Sequence, residues 1–121
     1  MMAVIDTGIL YDYLAGIPEA KEVIEEYPTA MIAAASRYII MREAQKLPPL
    51  IQQETIRFLN RFYCIDFTLE VCGAAARISH ANPDLSDTQA QVLASAITCG
   101  DTLITRQTAY SDSGLRVLIA Y

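Results

Sequence analysis

The chain has 121 residues, the size of one compact domain, and 53% are hydrophobic, enough for a substantial core. Its formal net charge is −5. That excludes a broad electrostatic grip on nucleic acid, which needs clustered Lys and Arg.

Residues 2–5 are a short apolar run and predict a strand ending at Asp6. Residues 7–16 follow as a short helix punctuated by Gly16, and Pro18 opens the next helix, which Pro28 breaks. Residues 30–35, "AMIAAA", predict a strand leading into a helix over 36–46, with Ser36 at its N-cap. Residues 48–63 carry Pro49 near the start and Ile51, Thr55, Phe58, Leu59 and Phe62 at helical spacing. "CIDF" (64–67) is a strand, and Thr68 caps a helix over 69–81. "NPDLS" (82–86) is the clearest loop, and a helix over 87–100 stops at Gly100. "TLIT" (102–105) and "RVLIAY" (116–121) are strands, with the polar, turn-rich 107–115 between them.

Strands and helices alternate, and the strands are apolar without clean alternation. An α/β fold with a mainly parallel sheet covered on both faces accounts for both. Nothing in the sequence marks a repeat or linker. Cys64, Cys72 and Cys99 have no CxxC spacing and read as buried thiols in a reducing compartment; with one histidine, His80, a Cys/His zinc site is not expected. There is no signal-like N-terminus and no apolar run of ~18 residues, so a soluble, cytoplasmic protein is expected, with no membrane partner.

In an open parallel sheet, ligands bind beyond the carboxyl ends of the strands. The polar residues expected there are Asp6, Ser36, Asp66, Thr105 and Gln107, with Asp87 and Gln89 opening the helix before the fourth strand. No GxGxxG follows the first strand and no GxxxxGK[ST] exists, which excludes the dinucleotide and P-loop fingerprints. A receiver domain needs a late lysine, and Lys46 is the last in the chain.

The whole chain resembles a PIN domain, particularly the short toxin-type, VapC-like ribonucleases of toxin–antitoxin pairs. "VIDTGILYDYLAG" is similar to the opening strand, first acid and helix. "MIAAASRYIIMREA" is similar to the second strand and helix, and "QAQVLASAITCGDTLITRQTAY" to the closing helix and strand. Small residues at Ala90, Ala94, Ser95 and Ala96 let that closing helix lie close on the sheet. The resemblance implies one PIN-like domain over 1–121: a three-layer α/β/α sandwich with a mainly parallel sheet of four or five strands. It also implies hydrolysis of RNA phosphodiesters with Mg²⁺ or Mn²⁺ held by three or four carboxylates. Such a cation lowers the pKa of bound water and stabilises charge building on phosphate.

Mapped by the resemblance, the first acid is Asp6, with Thr7 beside it. The second falls on Ile39, the third on Gln89 and the fourth on Gln107, just past Thr105. Asp6 is the expected catalytic and metal-binding residue; Thr7, Ile39, Gln89, Thr105 and Gln107 are expected to line the vestige of the site. Losing three carboxylates weakens the hold on a cation, because ligand charge sets affinity. Glu43, Asp87 and Asp112 lie near these positions but are not expected to restore it, and Asp87 reads as a helix N-cap.

The functional expectation is therefore a relative of metal-dependent endoribonucleases with weak or absent activity, binding Mg²⁺, Mn²⁺ or no metal. The alternative is a non-catalytic PIN-like module that binds a protein partner or RNA. A homodimer and an antitoxin-like partner are expected, with Tyr11, Leu14 and residues 18–27 supplying apolar and acidic surface. Three plainer readings stand beside these. Asp6 caps the helix after it, Gln89 and Gln107 are surface polars, and Tyr11 and Tyr13, with Leu10 and Leu14, are core. Arg37, Arg42, Lys46, Arg57 and Arg61 read as a solvated helix face rather than a phosphate-binding patch.

Overall fold

A computed structural model describes residues 2–110 and 115–121. The strands are β1 (Ala3–Ile5), β2 (Met31–Ala33), β3 (Tyr63–Ile65), β4 (Thr102–Thr105) and β5 (Arg116–Ile119). The helices are α1 (Thr7–Leu14), α2 (Pro18–Glu26), α3 (Ala34–Ala44), α4 (Pro49–Leu59), α5 (Leu69–Ala81) and α6 (Asp87–Cys99). All strand pairs are parallel, in the order β3-β2-β1-β4-β5. The chain steps outward from β1 to β3, returns to β4 on the other side of β1, and continues to β5. The topological switch point lies between β1 and β4.

Alternate strand residues feed two cores. Ala3, Ile5, Ile32 and Ile104 pack with Ile9, Leu10, Ala20, Ile24, Ile40, Phe58 and Leu59 from α1–α4. Val4, Met31, Ala33, Ile65 and Leu103 pack with Val92, Leu93 and Ala96 of α6. Helix α5 lies on α6 through Val71, Ala75 and Ala94. The result is the three-layer α/β/α arrangement with a five-stranded parallel sheet. The inner strands β1, β2 and β4 are buried throughout, whereas the edge strands leave Tyr63 and Ile119 exposed.

Two glycines shape the connections. Gly16 turns the chain between α1 and α2 at φ 81°, where L side chains are strained. Gly100 ends α6 against β1, and a Cβ there would lie 2.9 Å from Val4 Cγ2 and 3.0 Å from the Met2 carbonyl.

Local expectations are corrected at the start of α3, at the cap of α6 and at the cysteines. Helix α3 starts at Ala34, not after Ser36, because Ala34 and Ala35 favour helix and end β2 at Ala33. Ser36 is thus buried inside the first turn rather than capping it. The N-cap of α6 is Ser86, in a capping box with Gln89, and Asp87 is the first helical residue. The cysteines are not buried: Cys72 is exposed, and Cys64 and Cys99 are half-buried free thiols. Asp112 lies outside the described residues.

Candidate functional site

Asp6 leaves β1 at the switch point and begins α1. It is 3% exposed. Its Oδ1 accepts from the Thr7 backbone N–H at 2.8 Å and from the Tyr110 hydroxyl at 3.5 Å. Its Oδ2 accepts from the Thr105 hydroxyl at 2.6 Å. Burial pushes the Asp6 carboxyl above its ordinary pKa; the hydrogen bonds from Thr105, Thr7 and Tyr110, and the nearby Arg106 charge, pull the other way. Burial, with the Asp6 charge beside it, raises the Tyr110 phenol far above its ordinary range.

The same cluster continues away from Asp6. Thr105 Oγ1 accepts from the Gln107 backbone N–H at 3.0 Å. Gln107 Oε1 accepts from Gln89 Nε2 at 2.8 Å, and Gln89 Oε1 accepts from the Ser86 backbone N–H at 2.8 Å. Asp6, Thr105, Gln107 and Gln89 thus meet in one hydrogen-bonded chain across the carboxyl edge. Thr7 joins its other side, its hydroxyl 2.7 Å from that of Ser36. Ile39 is one turn further along α3 and packs against the core rather than among the polar groups.

The remaining acids lie elsewhere. Glu43 is bonded to Lys46 at 2.8 Å, which holds its carboxyl below the ordinary range, and it also meets Arg42 at 3.4 Å. Asp87 borders a shallow cleft with Phe67, Cys72 and Ala75 between α5 and α6. Asp66 follows β3 at the sheet's edge and is exposed. Among the described residues no three His, Cys, Asp or Glu side chains cluster as metal ligands.

Four participants escape a reading by sequence. Tyr110 sits in a polar stretch, where a lone aromatic was the available signal. Arg106 Nε meets Asp12 Oδ2 at 2.8 Å, and the Tyr121 hydroxyl donates to the same oxygen at 2.7 Å. The Arg106 guanidinium lies so close over Gly8 that a Cβ there would meet it at 3.2 Å.

A second feature lies between α1, α3 and α4. It is an open groove of about 740 Å³, lined by Tyr11, Tyr13, Leu14, Leu47, Ile51 and Phe58, with Glu43, Lys46, Glu54, Arg57 and Arg61 among its charged groups. Tyr13 stacks on Phe58 at 4.3 Å between ring centroids, and the Arg61 guanidinium lies 5.8 Å from both rings. Of the residues expected as core, Leu10 is buried and Tyr13 packs against the core, whereas Tyr11 and Leu14 are exposed on the groove wall.

No family model matches the chain, and no curated protein sequence matches it. Solved structures do. A toxin–antitoxin complex from Klebsiella pneumoniae contains a chain 26% identical, with 98% of each chain covered and a TM-score of 0.85. VapBC2 from Rickettsia felis, bound to a DNA fragment from its promoter, is 16% identical over 97% of each chain, with a TM-score of 0.82. FitAcB from Neisseria gonorrhoeae is 15% identical over 98% of each chain, with a TM-score of 0.80. No helix among the described residues is long and apolar enough to cross a membrane.

Proposed function

Since this chain has the PIN/VapC-like fold, we propose that it is a toxin-related PIN-like protein that no longer hydrolyses RNA and acts by binding a protein partner of the antitoxin kind. The observation that carries this reading is the hydrogen-bonded chain at the carboxyl edge. A hard dication wants several oxygens, charged ones above all, converging on one point. Here Asp6 is the one carboxylate in the hydrogen-bonded chain, its partners Thr105, Gln107 and Gln89 are neutral, and both its oxygens already accept hydrogen bonds. The Gln89 and Gln107 oxygens are likewise taken by N–H donors. Ile39 offers no ligand atom. These residues do not fit a catalytic Mg²⁺ or Mn²⁺.

Partner binding rests on the groove. Its exposed Tyr11, Leu14, Leu47 and Ile51 leave an apolar trough beside charged groups, the form that receives an amphipathic helix. The similar structures are toxin–antitoxin complexes. Within this reading the protein is also a two-fold homodimer, and light scattering that gives a monomer mass at high concentration refutes that part alone.

Cleavage of single-stranded and structured RNA in Mg²⁺ and Mn²⁺ tests the main reading. The wild type is expected to be inactive. The triple variant Ile39→Glu, Gln89→Asp, Gln107→Asp is expected to gain metal binding. Robust wild-type cleavage abolished by Asp6→Asn overturns the proposal.

A further inference from the structure

Ser86, Gln89, Gln107, Thr105 and Asp6 come from three separate parts of the chain, yet they form one continuous series of donors and acceptors. Ser86 N–H donates to Gln89 Oε1, Gln89 Nε2 to Gln107 Oε1, Gln107 N–H to Thr105 Oγ1, and the Thr105 hydroxyl to Asp6 Oδ2. Each amide side chain both accepts and donates once, or takes its place through its backbone N–H. At the far end Asp6 receives Thr7 N–H at the start of α1. The series therefore runs from the N-terminus of α6, over the end of β4, to the N-terminus of α1.

We infer that Gln89 and Gln107 form a clasp that fastens α6 to the end of β4 and so holds the switch-point edge closed without a cation. In the carboxylate arrangement that the resemblance implies, positions 89 and 107 would repel each other until a cation lay between them. An amide pair has the opposite sign: it attracts directly, because one partner offers N–H and the other C=O. The disagreement between these residues and a metal is thus a replacement of one fastening by another. Gln89 has a second tie through the capping box, which fixes its oxygen on Ser86 and aims its nitrogen at Gln107. Gln107 is fixed in turn by its backbone N–H on Thr105. Both are positioning residues, and their partnership does not depend on whether RNA is cleaved or a partner is bound.

The test is a double-mutant cycle with an NMR readout. Gln107→Leu is expected to lower the Tm by about 3–5 °C. Gln89→Leu is expected to lower it further, because Ser86 N–H also loses its acceptor. The double variant is expected to melt within about 1 °C of Gln89→Leu alone, since the shared bond can be lost only once. Additive losses overturn the clasp. In the unmodified protein a nuclear Overhauser contact between the Gln89 side-chain amide protons and the Gln107 side chain is expected. Its absence overturns the clasp whatever the variants do. RNA cleavage measured on the same samples reports separately on the proposed function.

Discussion

The carboxyl edge of the sheet and the groove between α1, α3 and α4 treat their side chains in opposite ways. At the edge, Asp6, Thr105, Gln107 and Gln89 find partners in one another. In the groove, Tyr11, Leu14, Leu47 and Ile51 remain open to solvent. A region whose polar groups satisfy one another gains little from a ligand, because each new contact must displace an existing one. A region with apolar surface still in water gains from whatever covers it. Under the proposed function, the groove is the surface a partner would cover, and the hydrogen-bonded edge serves as a structural joint.

The contrast can be broken from either side. The largest effect is expected from Phe58→Ala, which removes the groove floor together with its stack on Tyr13 and its edge contact with Phe62 at 5.3 Å. Urea unfolding should show a loss of about 3–5 kcal/mol, the usual range for a buried aromatic truncated to Ala. A loss under ~1 kcal/mol would mean that the floor is not part of the core. Thr105→Val attacks the edge instead. It keeps the shape but leaves Asp6 Oδ2 without its donor and Gln107 N–H without its acceptor, and the cost should be about 1–3 kcal/mol by the same measurement. An unchanged midpoint would show that the edge is not a joint.

Asp6 also gives the edge a pH signature. Its folded pKa is raised, so between the unfolded value, 3.8, and that raised value the native state holds a proton that the unfolded chain has released. Stability from this group is therefore fully present below the unfolded pKa and falls as pH rises through the folded one. The stability difference between Asp6→Asn and wild type should grow in the variant's favour across that window and then level off. Urea midpoints for both proteins at a series of pH values check the sign; a difference that shrinks with rising pH contradicts it. The smallest effect belongs to Tyr121→Phe, which removes a partly exposed hydrogen bond to Asp12 while leaving the Arg106 pair in place. A change within about 1 kcal/mol is expected by the same unfolding assay; a larger one would give the C-terminus a part in closing the edge.

The strand and helix framework was legible because its signals are local. Apolar runs marked β1 and β4, Pro18 and Pro49 opened helices, and Thr68 caps α5 through Val71 N–H as its position suggested. The capping box of α6 was equally local: "SDTQ" has the Ser and Gln three residues apart, with Asp87 beside them as a competing N-cap candidate. The joint itself was not legible. Asp6 meets Thr105 and Tyr110 across separations of 99 and 104 residues, and no local rule says which hydroxyl will reach which carboxylate. Gln89 illustrates the difficulty. Ordinary surface polar and replaced ligand were both reasonable readings, whereas the structure makes it a cap and one half of an amide pair at once. Ser36 was expected at the edge but as an N-cap; the two alanines before it start the helix early and turn its hydroxyl toward Thr7.

The most direct measurement is a calorimetric titration of Mn²⁺ into the wild-type protein alongside Asp6→Asn. A closed, self-satisfied edge with a single carboxylate predicts no saturable binding heat in either protein. A stoichiometric binding isotherm in the wild type that Asp6→Asn abolishes would show that a cation site persists beside Asp6, and the account of the edge as a metal-free joint would be wrong.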